Sequence, residues 1–200
     1  MRIKRIGITG NIGSGKSLVC KIFNHLGINT FYSDEETKKL YFLPEVKKDI
    51  INHFGEEVYF TDGSLNKKLL SYHLFQNPEA LKFIEALLYP KLNQVFNEWC
   101  KKQTSAYVLF ESAILFEKNF DKQFDKIIFV SAPEEVRLQR VMQRDKCDED
   151  NVRSRMRLQW NEETKISKSD YIINNNGVED IIPQIVKINS EIQNFRITSN

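Results

Sequence analysis

One run of residues has the types and the spacing to do chemistry: Gly10-Asn11-Ile12-Gly13-Ser14-Gly15-Lys16-Ser17. It fits G-x-x-x-x-G-K-[ST], the pattern of a phosphate-binding loop. The glycines let successive backbone N–H groups turn inward on phosphate oxygens, and a helix starting there adds its partial positive charge. Lys16 is placed to reach the β- and γ-phosphates and the Ser17 hydroxyl to ligate Mg²⁺. Asn11, Ile12, Gly13, Ser14, Gly15, Lys16 and Ser17 together make the cofactor-binding arc. Such a match has meaning only between a strand and a helix. Ile3–Thr9 is short and β-branched, while Leu18, Val19, Ile22, Phe23 and Leu26 recur at helical spacing up to Gly27, a helix stop. Both flanks predict a nucleoside triphosphate site.

A phosphate loop specifies a nucleotide but not a reaction. Phosphoryl transfer also needs its developing charge neutralised and an acceptor hydroxyl held in line. Arg137, Arg140 and Arg144 fall at i, i+3 and i+7, which predicts one helix face. Arg140 and Arg144 can close over the triphosphate as a lid, although a solvated face with surface ion pairs fits the same spacing. Asp34, just past the carboxyl end of a second strand, is the candidate to orient or deprotonate the acceptor. The other reading of such a carboxylate is a cap on the next helix. Glu111 ends another strand and suits either a water-mediated hold on Mg²⁺ or a plain surface carboxylate. Asn175 follows the last strand, as an adenine reader or as a turn residue. His25, His53 and His73 lack metal-ligand spacing, and Tyr89 and Trp99 read as packing residues.

The elements that must carry these residues follow from periodicity. Ile28–Ser33, Tyr107–Phe110, Lys126–Val130 and Tyr171–Ile173 read as further strands. Pro133 takes the N1 position of a helix that carries the arginines, and a charged bend from Asp145 to Asp150 leads to a second basic helix with Arg153, Arg155, Arg157 and Gln159. Helices broken near Pro44 cover Glu35 to about Phe54, and a turn marks Asp62-Gly63. A helical block then runs from Leu65 to about Lys102, interrupted at Tyr89-Pro90. Val178, Ile181, Ile182, Ile185, Ile188 and Ile192 make the apolar stripe of a closing helix. The order predicts an α/β fold with a doubly wound parallel sheet. One domain is expected over residues 1–200, with a helical insert at about 60–104 and a lid at about 140–168.

Composition sets limits on partners. A net charge of +2 without a basic block gives no case for nucleic acid. No run approaches 18 apolar residues, and the chain opens on a strand, so neither a membrane span nor a signal peptide is expected. The three cysteines include no C-x-x-C pair, which suits reduced thiols in cytoplasm. A monomer or small homo-oligomer is expected.

The chain resembles the dephospho-CoA kinase family over essentially its whole length. The resemblance is carried by Gly7–Ser17, Asp34, Asp62-Gly63-Ser64-Leu65, Leu87-Leu88-Tyr89-Pro90, Ile114-Leu115-Phe116-Glu117, Gln139–Asp145, Arg155 with Gln159, and Tyr171–Asn175. It implies a three-layer P-loop kinase fold with a helical substrate-binding insert and a helical lid. The implied reaction is ATP-dependent phosphorylation of the ribose 3′-hydroxyl of dephospho-coenzyme A, with Mg²⁺. It assigns Lys16 and Ser17 to phosphate and Mg²⁺, Asp34 to the acceptor hydroxyl, Arg140 and Arg144 to the lid, and Asn175 to the neighbourhood of the adenine. The chain departs from the family pattern at Tyr32-Ser33-Asp34 (for Asp-x-Asp), Tyr89 (for His), Glu111-Ser112-Ala113 (for Asp-Val-Pro) and Lys67 (for Arg). Another kinase, acting on a nucleoside or nucleotide, is the alternative. A GTPase switch should carry Asn-Lys-x-Asp, and Asn66-Lys67-Lys68-Leu69 lacks that Asp.

Overall fold

In β1 (Lys4–Thr9), side chains alternate between two faces of a sheet, and both faces are buried. Ile6 and Ile8 point to one side with Tyr107 and Leu109 of β3 (Tyr107–Glu111). Gly7 points to the other, where an added Cβ would come within 2.7 Å of Leu115 and 3.0 Å of Phe124. The structure, a computed structural model, describes residues 2–195. It divides into two compact units, Met1–Tyr32 with Lys102–Asn200, and Ser33–Lys101.

The first unit holds a five-stranded sheet in the order β2-β3-β1-β4-β5, with β2 at Thr30–Tyr32, β4 at Lys126–Ser131 and β5 at Tyr171–Asn174. Every pairing is parallel, as the apolar runs of β3 and β4 predict for strands covered on both faces. Helix α1 (Lys16–His25) contributes Val19, Cys20 and Phe23 to the core on one face. The closing helix, Ile181–Asn194, adds Ile185, Ile188 and Ile192 to the same cluster. Ile182 stays half-exposed, and Val178 lies before the helix in solvent, so the stripe is shorter than its pattern implied. On the opposite face Phe31 stacks on Phe110, which also meets Phe120 and Phe124. β1 is central, and the chain leaves it towards β2 on one side while β4 and β5 lie on the other. The loop after β1 thus emerges at a topological switch point, where open α/β sheets bind ligands.

The second unit is helical: α2 (Ser33–Leu40), α3 (Pro44–Phe54), α4 (Lys67–Gln76) and α5 (Pro78–Lys101). It starts at Ser33, well before residue 60, because α2 begins as soon as β2 ends. Ala80, Ile84, Leu88, Leu92 and Phe96 line one buried stripe of α5 at intervals of four, and α5 packs on α2, α3 and α4. The expected interruption at Tyr89-Pro90 is absent. Pro90 lies inside a continuous helix with both Pro90 and Ala86 exposed, so the carbonyl that loses its bond can turn to water. The break falls at Asn77 instead. Asn77 precedes Pro78 and takes an extended conformation, φ −136° and ψ 108°, while its Oδ1 accepts from Glu79 N–H at 2.9 Å. Asp62 Oδ1 accepts from Ser64 N–H and the Ser64 hydroxyl, which holds the expected turn at Gly63.

Between β4 and β5 run α6 (Glu134–Asp145), α7 (Glu149–Met156) and α8 (Glu162–Ser167), which we number in that order, with α9 the closing helix Ile181–Asn194. Pro133 is the N-cap of α6, one position earlier than expected. Helix α8, capped by Asn161 Oδ1 on Thr164 N–H, was not foreseen. Among the described residues no helix is long and apolar enough to cross a membrane.

Candidate active site

The loop from Gly10 to Ser17 joins β1 to α1 as its motif predicts. Gly15 is the N-cap of α1 at φ 93°, a left-handed conformation that favours glycine. A Cβ there would lie 2.1 Å from Asn175 Nδ2, so no side chain fits. Gly13, at φ 81°, is equally constrained, because its Cβ would stand 2.5 Å from the Arg137 carbonyl oxygen. The loop is thus pressed from two sides by the segments that follow β4 and β5.

Lys16 is folded back into this loop. Its Nζ donates to Gly10 O at 2.8 Å and lies 3.9 Å from Glu111 Oε1, with only 9% of the residue exposed. Glu111 ends β3 and pairs in register with Ile8, so the sheet itself sets this approach. Ser17 is exposed in the first turn of α1. Ser14 Oγ is buried with no hydrogen-bond partner within the described residues. Buried hydroxyls are seldom left so, and here the group stands on a loop whose amides favour anions.

The arginines do not act as one set. Arg137 is buried, donating Nε–H to Ala132 O at 2.9 Å with Nη2 3.7 Å from Glu162, a structural role. Arg140 reaches the loop: Nη1 is 3.5 Å from Gly13 O and Nη2 3.5 Å from Asn175 Oδ1. These bonds are long and cost little to exchange for a phosphate. Arg144 is engaged with Asp145, which also accepts from Arg155 at 2.6 Å. Those guanidinium groups hold the Asp145 carboxyl well below the usual carboxylate range. Asn175, expected beside an adenine or in a turn, spends its carboxamide on the loop and donates to Ser14 O at 2.8 Å.

Arg140→Ala tests the separation of these roles. It is expected to leave the unfolding midpoint nearly unchanged, as for a partly exposed side chain with two long bonds. Phosphoryl transfer should drop by about a hundredfold. Thermal melts beside single-turnover rates check it, and a large loss of stability would move Arg140 to the structural set.

Sequence reasoning missed a buried pair. Lys165 on α8 is 0% exposed, and its Nζ meets Glu117 Oε1 at 2.6 Å and Ala113 O at 3.1 Å. Burial pushes the Lys165 ammonium down from its ordinary range while Glu117 pulls it back up. A lysine inside a polar helix of six residues gives no periodic signal; the family-like segment ending at Glu117 was the available clue. Lys165→Met strands a buried carboxylate and is expected to cost about 3–5 kcal/mol. Denaturant unfolding measures this, and a cost under about 1 kcal/mol would mean that water reaches the site.

The second unit carries the acceptor-side candidates. Asp34 is the second residue of α2, exposed, and so lies within the first turn rather than at the N-cap or in a loop. Tyr89 on α5 is pushed well above its ordinary pKa by burial, then by Glu85, to which its hydroxyl bonds, with Tyr41 and Asp34 adding to the effect. It therefore remains a neutral donor. Lys67 is the exposed first residue of α4.

Two oxygen donors, one from the loop and one from the end of β3, suit the expected metal. The hydroxyl of Ser17 and the carboxylate of Glu111 are hard ligands of the kind Mg²⁺ takes. Among the described residues no group of three or more His, Cys, Asp or Glu could hold a metal. Mg²⁺ bound through one or two side chains and substrate phosphates needs no such cage.

Comparison with known proteins agrees with the phosphate loop and the parallel sheet. The family model for dephospho-CoA kinase matches residues 4–180. A dephospho-CoA kinase of Bacteroides fragilis is 36% identical over 186 residues, 92% of this chain and 90% of the relative. Among solved structures, a Thermus thermophilus protein superposes with a TM-score of 0.83 at 28% identity, over 96% of this chain and 97% of that one. The dephospho-CoA kinase from Campylobacter jejuni does so with a TM-score of 0.69 at 28% identity, over 94% and 96%. With the family match and the superposition both running nearly the full length, the chain belongs to the dephospho-CoA kinase family and has the P-loop kinase fold.

Proposed function

We propose that this enzyme uses Mg·ATP to phosphorylate the ribose 3′-hydroxyl of dephospho-coenzyme A, giving coenzyme A and ADP. The observation that carries the reading is Lys16, folded into a glycine loop at the sheet's switch point with Arg140 at its rim. Family membership supplies the acceptor.

The transition state spreads charge over the equatorial oxygens of the transferred group and leaves little covalent work for the protein. Lys16 meets that charge from the loop side, after exchanging Gly10 O for phosphate. Arg140 meets it from α6, in cis. Asp34 holds the acceptor hydroxyl in line and takes its proton. Ser17, with Glu111 acting through water, would hold Mg²⁺, which when bound neutralises phosphate charge. Arg144 serves the lid, and its exchange of Asp145 for a phosphate oxygen would accompany closure. Asn175 contributes by bracing Ser14 and Gly15 from behind, close to the base. The setting is the cytoplasm, and the chain acts as a monomer or small homo-oligomer without nucleic acid or membrane.

The test is ADP release with Mg·ATP and a panel of acceptors. Dephospho-coenzyme A should stimulate turnover far more than any nucleoside or nucleoside monophosphate. Preference for a nucleoside monophosphate would keep the phosphate chemistry and overturn the acceptor.

A further inference from the structure

The outer arc of the phosphate loop is held by groups to which the transfer reaction gives no part. Ile12 N–H donates to Gln159 Oε1 at 2.8 Å, and Gln159 Nε2 donates to Ala113 O at 3.3 Å. Beside them, Asn11 Nδ2 donates to Trp160 O at 3.3 Å. Gln159 and Trp160 lie in the short stretch between α7 and α8. That stretch is anchored in turn: Trp160 N–H donates to Glu117 Oε1 at 3.1 Å, the oxygen that pairs with buried Lys165. Lys165 Nζ also donates to Ala113 O, the carbonyl that receives Gln159.

The position calls for a carboxamide. It must accept from a backbone N–H on one side and donate to a carbonyl on the other, which glutamate and methionine cannot both do. A loop that presents amides to phosphate gains affinity when its shape is set beforehand, because ordering it on binding costs entropy. We propose that Gln159 is a positioning residue for the phosphate loop. It fixes the Ile12 amide, and the Lys165–Glu117 pair fixes Gln159 through Ala113 and Trp160. The stretch between α7 and α8 thereby preorganises the nucleotide site. The proposal rests on the reading that this loop binds nucleotide phosphate.

Two measurements on the full chain test it: Mg·ADP titration by calorimetry, and amide hydrogen exchange at Ile12 without nucleotide. Wild-type protein, Gln159→Met and Gln159→Glu are compared, with circular dichroism to verify folding. In the wild type the Ile12 amide should exchange slowly. Gln159→Met should raise the Kd for Mg·ADP about tenfold, the loss of about one hydrogen bond's worth of preorganisation. It should speed Ile12 exchange by a similar factor. Gln159→Glu keeps the acceptor and should keep Ile12 slow. Fast Ile12 exchange in the wild type, or unchanged Mg·ADP affinity in a folded Gln159→Met protein, would overturn the positioning role while leaving the nucleotide site standing. Failure of the wild type to bind Mg·ADP at all would sink the nucleotide reading and this proposal with it.

Discussion

Replacing Lys16 by alanine is expected to lower kcat/KM about a hundred- to a thousandfold, the cost of removing one well-placed electrostatic stabiliser from a transfer site. The ammonium is almost wholly withdrawn from solvent and has a carbonyl and a carboxylate for neighbours. Charge in such surroundings counts for more than it would in water. Most of the loss should appear in kcat, because the γ-phosphoryl oxygens gain charge only as transfer begins. Lys16→Arg should not rescue. A planar guanidinium cannot take the place of a compact ammonium folded against Gly10 O. Single-turnover rates with matched Mg·ADP affinities would show this. A Lys16→Ala protein that transfers phosphate within about threefold of wild type would remove Lys16 from the chemistry.

Asp34→Asn should reduce kcat about a hundred- to ten-thousandfold, the range for losing a positioned base, with KM for ATP nearly unchanged. Asparagine keeps the shape and loses only the charge. Its effect on stability should stay within about 1 kcal/mol, since the carboxylate's favourable place in the first turn of α2 is exposed. A variant that turns over normally would overturn the assignment.

The fold could be read from the sequence wherever the signal was local. The phosphate loop announces itself in eight residues, and β3 and β4 show the apolar runs of strands buried on both faces. Proline was a poorer guide. Pro90 was expected to break a helix and does not, since its turn faces solvent, whereas Asn77-Pro78 breaks one through the backbone conformation imposed on Asn77. The arginine spacing gave a common helix face correctly but not the partners, because those come from other elements: Ala132 and Glu162 for Arg137, Gly13 and Asn175 for Arg140, Asp145 for Arg144. Gln159 and Ile12, 147 residues apart, meet because the chain between β4 and β5 passes back beside the loop. No periodicity records a contact of that range.

The most direct test of the central claim is the identity of the product. The protein is mixed with Mg·ATP and dephospho-coenzyme A, and the phosphorus NMR spectrum is followed as ADP accumulates. A new phosphomonoester resonance coupled to the ribose H3′ proton is expected, growing in step with ADP, and growing slower with Asp34→Asn in proportion to its lowered kcat. ADP without that resonance, or the resonance on another hydroxyl, would contradict it.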